Sequence, residues 1–192
     1  IKLMILLNSL INLLKMKRMV INLFGAPASG KSTCAAYIFS QLKMHGVNAE
    51  LITEFAKDKV WEGNMEVFKP ENQCYLFGEQ FYKMNCCKGK VDVIVTDSPL
   101  PLNILYNKSK ILGKDFDRVV MSCFNSFNNI SYLLESDHYQ PYGRIQSHLG
   151  CKKLASALPE FLKSHNIKYT PIKGCKDEYD LIIKELGKVG IL

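Results

Sequence analysis

Gly25-Ala26-Pro27-Ala28-Ser29-Gly30-Lys31-Ser32 follows directly on the apolar run Met19 to Phe24 and opens into the helix-forming run Ser32-Thr33-Cys34-Ala35-Ala36-Tyr37-Ile38. The stretch satisfies G-x-x-x-x-G-K-[ST], a pattern that cradles phosphate when a strand precedes it and a helix follows. Gly25 and Gly30 let the backbone turn tightly and bring its N–H groups close to phosphate oxygens. Lys31 supplies a charge that reaches terminal phosphates, and Ser32 offers a hydroxyl to a magnesium ion. The following helix points its positive N-terminus at the same anion. Gly25, Ala26, Pro27, Ala28, Ser29, Gly30, Lys31, Ser32 and Thr33 are therefore the expected nucleotide-binding residues, with ATP and Mg2+ as the expected ligands.

From this loop outward the chain alternates strand and helix patterns. Strands are expected at residues 19–24, 47–53, 91–96, 130–134 and 168–172. Helices are expected at about 31–44, 71–87, 115–127, from His148 onward and at 176–186. Residues 55–70 read as a short helix and a loop, and 102–114 carry no clear pattern. Pro159 is expected to break or restart the helix that begins at His148. Such alternation predicts a single three-layer α/β domain: a five-stranded parallel sheet with helices on both faces. Ile1 to Arg18 reads as an N-terminal appendage outside that fold, leaving residues 19–192 as the domain. Its apolar run Leu3 to Leu14 is interrupted by Asn8, Ser9 and Asn12 and is too short to span a bilayer. It lacks the pattern of a secretory signal, so a cytoplasmic protein with no membrane partner is expected.

The 192 residues, 47% hydrophobic and 22% charged, have an ordinary globular composition. The seven cysteines show no metal-ligand or redox spacing, which favours free thiols in a reducing compartment. A net charge of +7 suits an anionic partner, nucleotide or nucleic acid, although scattered lysines also make an ordinary solvated surface.

Three further residues bear on the chemistry. Asp97 ends the apolar strand at 91–96, where open α/β sheets place their ligand crevice. A carboxylate there can hold magnesium opposite Ser32; the plainer reading is a cap on the next turn. Glu54 ends the second strand and should face the same crevice, where it could accept a proton from an attacking hydroxyl. Arg144 lies in Tyr139-Gln140-Pro141-Tyr142-Gly143-Arg144-Ile145-Gln146, a loop with the composition of a lid that closes over phosphates. Lys31, Asp97, Arg144 and Glu54 are thus the candidate catalytic residues, and Ser32 and Asp97 the candidate metal ligands. Gln73 and Gln80 are weaker candidates for reading a base edge, since most of the aromatic side chains around them (Tyr75, Phe77, Phe81, Tyr82) are expected in the core.

The combination of G-A-P-A-S-G-K-S-T, V-N-A-E-L-I-T-E-F-A-K-D, V-I-V-T-D-S-P and Y-Q-P-Y-G-R-I-Q resembles small viral P-loop kinase-type ATPases, near the nicotinamide riboside kinase and nucleotide kinase groups. The resemblance spans Met19 to about Ile172. It implies a P-loop nucleotide-kinase fold with the second and third strands on one side of the first, ATP and magnesium, and an acceptor beneath the lid. Some bacteriophage kinases of this type phosphorylate 5-hydroxymethyluracil within DNA, so a modified base in DNA joins nucleosides and nucleotides as an implied acceptor. One departure stands out. Lids of this group often carry another arginine before the Tyr-x-Pro segment, where this chain has Glu135-Ser136-Asp137-His138; neutralisation would fall to Arg144, with His138 or Lys152. The alternatives to a kinase are a switch or DNA-associated ATPase, and a module that binds ATP without turnover.

Overall fold

The computed structural model describes residues 19–135 and 148–192. The five strands are β1 (Met19–Phe24), β2 (Ala49–Ile52), β3 (Val93–Thr96), β4 (Asn128–Glu135) and β5 (Thr170–Lys173). They form one parallel sheet in the order β2-β3-β1-β4-β5. β2 and β3 therefore lie on one side of β1, as the resemblance implies. The helices are α1 (Lys31–Met44), α2 (Phe55–Trp61), α3 (Gln73–Cys87), α4 (Leu102–Tyr106), α5 (Gly113–Asn125), α6 (His148–Ser164) and α7 (Lys176–Lys188), with short 3-10 turns at Met65–Phe68 and Pro70–Asn72.

Strand alternation divides the core. Successive residues of β1 point to opposite faces. Met19, Ile21 and Leu23 pack with Cys34, Ile38 and Leu42 of α1 and with Tyr179, Ile182 and Leu186 of α7. Val20 and Phe24 pack with Phe77 and Met84 of α3, Phe116 and Val120 of α5, and Leu158 and Leu162 of α6. The result is the expected sheet with helices on both faces. Every residue of β1 is buried, including Asn22, whose amide donates to Asn129 Oδ1 at 2.9 Å and ties β1 to β4.

Four expectations are corrected. The strands at 47–53 and 91–96 shorten to Ala49–Ile52 and Val93–Thr96, because the ladder ends where parallel partners end. The unassigned stretch 102–114 contains α4 and the first turn of α5. Pro159 lies inside α6 without interrupting it. Leu158 and Leu162, 1% and 0% exposed, hold both sides of the proline against the sheet, and this packing outweighs the missing backbone donor. Finally, Phe77 is buried, but Tyr75 and Tyr82 are 43% and 66% exposed, so only part of that aromatic group belongs to the core.

Candidate active site

The register of the sheet brings the site together. In the parallel pair β1 and β3, Asn22 is opposite Thr96, so Asp97 emerges beside the last residues of β1, just before the phosphate loop. In the pair β2 and β3, Ile52 is opposite Thr96. Two residues beyond Ile52, Glu54 leaves the same carboxyl edge and starts α2, with extended dihedrals at the cap. Residues far apart in sequence therefore converge on one end of the sheet, where open α/β folds bind ligands.

The phosphate loop is tightly folded. A Cβ on Gly25 would come within 2.3 Å of Ser29 Oγ and 2.9 Å of the Leu134 carbonyl oxygen. Gly30 stands at the start of α1 with φ 88°, and a Cβ there would touch the Tyr179 hydroxyl at 3.0 Å. Ala28 also takes a positive φ, 73°, a conformation an L side chain adopts only under strain. The loop is thus a closed cradle into which no larger side chain fits at position 25. Burial keeps Tyr179, which lies beneath it, above its usual phenol pKa.

Lys31 folds back onto the cradle, its ammonium donating to the carbonyls of Gly25 and Ala26 at 2.9 Å each. Ser32 Oγ donates to Asp97 Oδ2 at 2.5 Å. Asp97 is 4% exposed, and its second oxygen, Oδ1, is buried without a partner. A buried carboxylate oxygen left unmatched beside a serine hydroxyl is the donor set a hard divalent cation uses. Ser32 and Asp97 therefore fit magnesium. Among the described residues no cluster of three or more His, Cys, Asp or Glu side chains offers a self-contained metal cage, so such an ion would take further ligands from phosphate and water.

A cleft of about 400 Å3 opens from Pro27, Lys31 and Asp97. Phe68, Leu76 and Leu102 are among its apolar lining, and Glu54, Gln73, Tyr106, Lys57 and Lys108 among its polar lining. The volume is within the usual range for small-molecule sites, roughly 300–1,000 Å3. Lys31, Asp97 and Glu54 thus share one cavity. Gln73 belongs to it as well. Gln80 does not: it is 2% exposed, and its Oε1 accepts the Phe55 backbone N–H at 3.0 Å, fixing α2 on α3. Arg144, with the rest of the lid segment and His138, lies outside the described residues; Lys152 is exposed on α6. Asn103, which holds Gln73, carried no signal in the sequence, because its partner is 30 residues away.

Comparison with known proteins supports the architecture. The structure superposes on NadR protein in complex with NR with a TM-score of 0.67 at 11% identity, covering 93% of this chain and 52% of that one. It superposes on thymidylate kinase from Ehrlichia chaffeensis with a TM-score of 0.61 at 17% identity, covering 89% of this chain and 97% of that one. The fold is that of P-loop kinases. The chain spans about half the length of the NadR chain. No protein-family model and no curated protein matches the sequence. No helix among the described residues is long and apolar enough to cross a membrane, and all seven cysteines are free thiols.

Proposed function

We propose that residues 19–192 form an ATP-dependent phosphotransferase that moves the γ-phosphoryl group of ATP to a hydroxyl of a nucleoside- or nucleotide-type acceptor. The observation that carries this reading is the cleft itself: Pro27 and Lys31 of the phosphate loop line one cavity together with Asp97, Glu54 and the apolar side chains Phe68, Leu76 and Leu102. A nucleotide switch needs room for a water molecule. This cleft has room for a second substrate.

The residues divide the work. The loop amides and α1 bind the phosphates. Lys31 exchanges its two carbonyl partners for phosphate oxygens and carries positive charge to the transferring group. Magnesium, when bound by Ser32 and Asp97, supplies charge neutralisation on the phosphate oxygens. Glu54 takes the proton of the acceptor hydroxyl as its oxygen bonds to the γ-phosphorus and the bond to the β-phosphate oxygen breaks, giving ADP and a phosphomonoester. The apolar walls orient the acceptor and exclude water, so that positioning supplies much of the rate. Arg144 is the lid residue in this proposal, closing over the transferring phosphoryl group.

The test uses γ-labelled ATP with two acceptor sets: free nucleosides and nucleotides, and DNA containing 5-hydroxymethyluracil. Label in a member of either set supports the kinase and separates free from DNA-borne acceptors. Label released only as inorganic phosphate replaces the kinase with an ATPase, and ATP binding without label release replaces it with a binding module. Full activity in a Lys31→Ala variant would refute the whole assignment.

A further inference from the structure

The orientation of one amide in the cleft is fixed by a relay that begins at the backbone. Asn103 Nδ2 donates to the Leu100 carbonyl at 3.0 Å. A carbonyl can only accept, so the nitrogen of Asn103 must face it and Oδ1 must face the other way. That oxygen accepts from Gln73 Nε2 at 2.9 Å. Gln73 is therefore locked in turn: its nitrogen is held by Asn103, and its Oε1 has no hydrogen-bond partner among the described residues. Both side chains are 8% exposed, and Gln73 lines the cleft. Because Gln73 lines the cleft, its Oε1 is the group it has to offer an incoming molecule. Turning the Gln73 amide over would set its oxygen against the Asn103 oxygen, two acceptors with no proton between them, which the relay forbids.

We propose that Gln73 is the specificity-determining residue of the acceptor site, its Oε1 accepting a hydrogen bond from a ring N–H of a planar lactam or imide base, with Asn103 as its positioning residue. The apolar walls Phe68, Leu76 and Leu102 suit the faces of such a ring, and a fixed acceptor oxygen reads its edge. A base that offers a ring nitrogen as an acceptor at that point would set two lone pairs against each other and be rejected. The inference rests on the kinase reading only for the identification of the cleft as the acceptor chamber.

The test separates the two. Binding of uridine, thymidine and inosine to the full chain is measured by calorimetry without turnover, against their ring-N-methyl counterparts, while transfer from γ-labelled ATP is followed independently. Loss of the donor should weaken binding by roughly 10- to 100-fold, the size of one unmade buried hydrogen bond. Gln73→Leu should weaken the N–H compounds by a similar factor and bring the ratio between each pair near one, with ATP affinity unchanged. Asn103→Leu, which frees the amide to turn while keeping Gln73, should also erode the ratio, and it serves if Gln73→Leu fails to fold. A purely structural role for Gln73 would lower both members of a pair together. Failure of every N–H compound to bind, a wild-type ratio near one, or an unchanged ratio in either variant overturns the proposal. Discrimination that persists while no acceptor is labelled would instead leave this inference standing and remove the kinase reading.

Discussion

Asp97→Asn should make the ligand-free protein more stable while removing its response to magnesium. Asp97 is 4% exposed, and only Oδ2 is matched, by the Ser32 hydroxyl. Oδ1 is buried with no partner. Leaving a buried polar atom unmatched costs about 1–3 kcal/mol, and more when the group is charged. Asparagine keeps the shape and the bond from Ser32 and removes the charge, but it leaves an unmatched amide nitrogen, so part of the penalty persists. The net gain should be about 1–2 kcal/mol. At roughly 2–4 °C per kcal/mol for a chain of this size, Tm in nucleotide-free, metal-free buffer should rise by about 2–8 °C. With magnesium and ATP at about 100 times Kd, wild type should gain about 2.7 kcal/mol by linkage. The variant should lose the magnesium-dependent part of that gain, so the order of the two melting temperatures reverses on adding ligand. The measurement is thermal unfolding by circular dichroism, with and without ATP, in magnesium and in chelator. A variant that melts below wild type without ligand and keeps the full magnesium-dependent gain would refute the assignment of Asp97 as a metal ligand held under electrostatic strain.

Gly25→Ala should abolish nucleotide binding, because the new methyl group meets the Ser29 hydroxyl and the Leu134 carbonyl oxygen at impossible distances; equilibrium binding of a fluorescent ATP analogue checks it. Ala28→Gly should relieve a positive φ of 73° and stabilise the protein by about 1 kcal/mol, read as a small rise in denaturation midpoint. Burial pushes the Cys34 thiol from 9.0 up to about 12. Below pH 9 both folded and unfolded states carry the neutral thiol; above it only the unfolded state ionises, so stability falls by up to about 1.4 kcal/mol per pH unit until the folded thiol also ionises. Urea unfolding between pH 9 and 10, below the ordinary tyrosine range, should show a shallower decline in Cys34→Ala than in wild type.

Elements written in local patterns were legible and those decided by distant partners were not. β1, the phosphate loop and α1 were readable together, since a strand, a glycine-bounded loop and a helix of good formers agree with one another. The ends of β2 and β3 were overrun because Val47, Val91 and the other flanking residues have strand propensity, whereas the ladder is closed by its partners; Asp92 N–H already bonds the Asn48 carbonyl outside it. α4 was hidden behind Pro99 and Pro101. Burial of Leu102, 5% exposed, with Ile104 and Leu105 packed on the same cluster, gives that short turn a place in the core. The proline in α6 shows the reverse: a strong local break signal yields to two fully packed leucines.

The same division runs through the candidate site, and it separates the proposed donor half from the proposed acceptor half. The donor half is contiguous in sequence except for Asp97, and parallel pairing of β1 with β3 is enough to deliver that residue to the loop. Glu54 follows by one more strand step. The acceptor half depends instead on how α3 meets the turn after β3: Gln73 opens α3, Asn103 sits in α4, and the Leu100 carbonyl that orients them both lies between two prolines. No single-element pattern encodes that meeting, because amide side chains in a helix read equally well as solvent-facing. The buried relay is what turns Gln73 from a weak candidate into a directed one. A helix-surface glutamine would be free to rotate its amide and accept either kind of base edge. One held through Asn103 by a main-chain carbonyl has a single polarity, and under the proposed role of Gln73 that polarity is the part of substrate choice set before any substrate arrives.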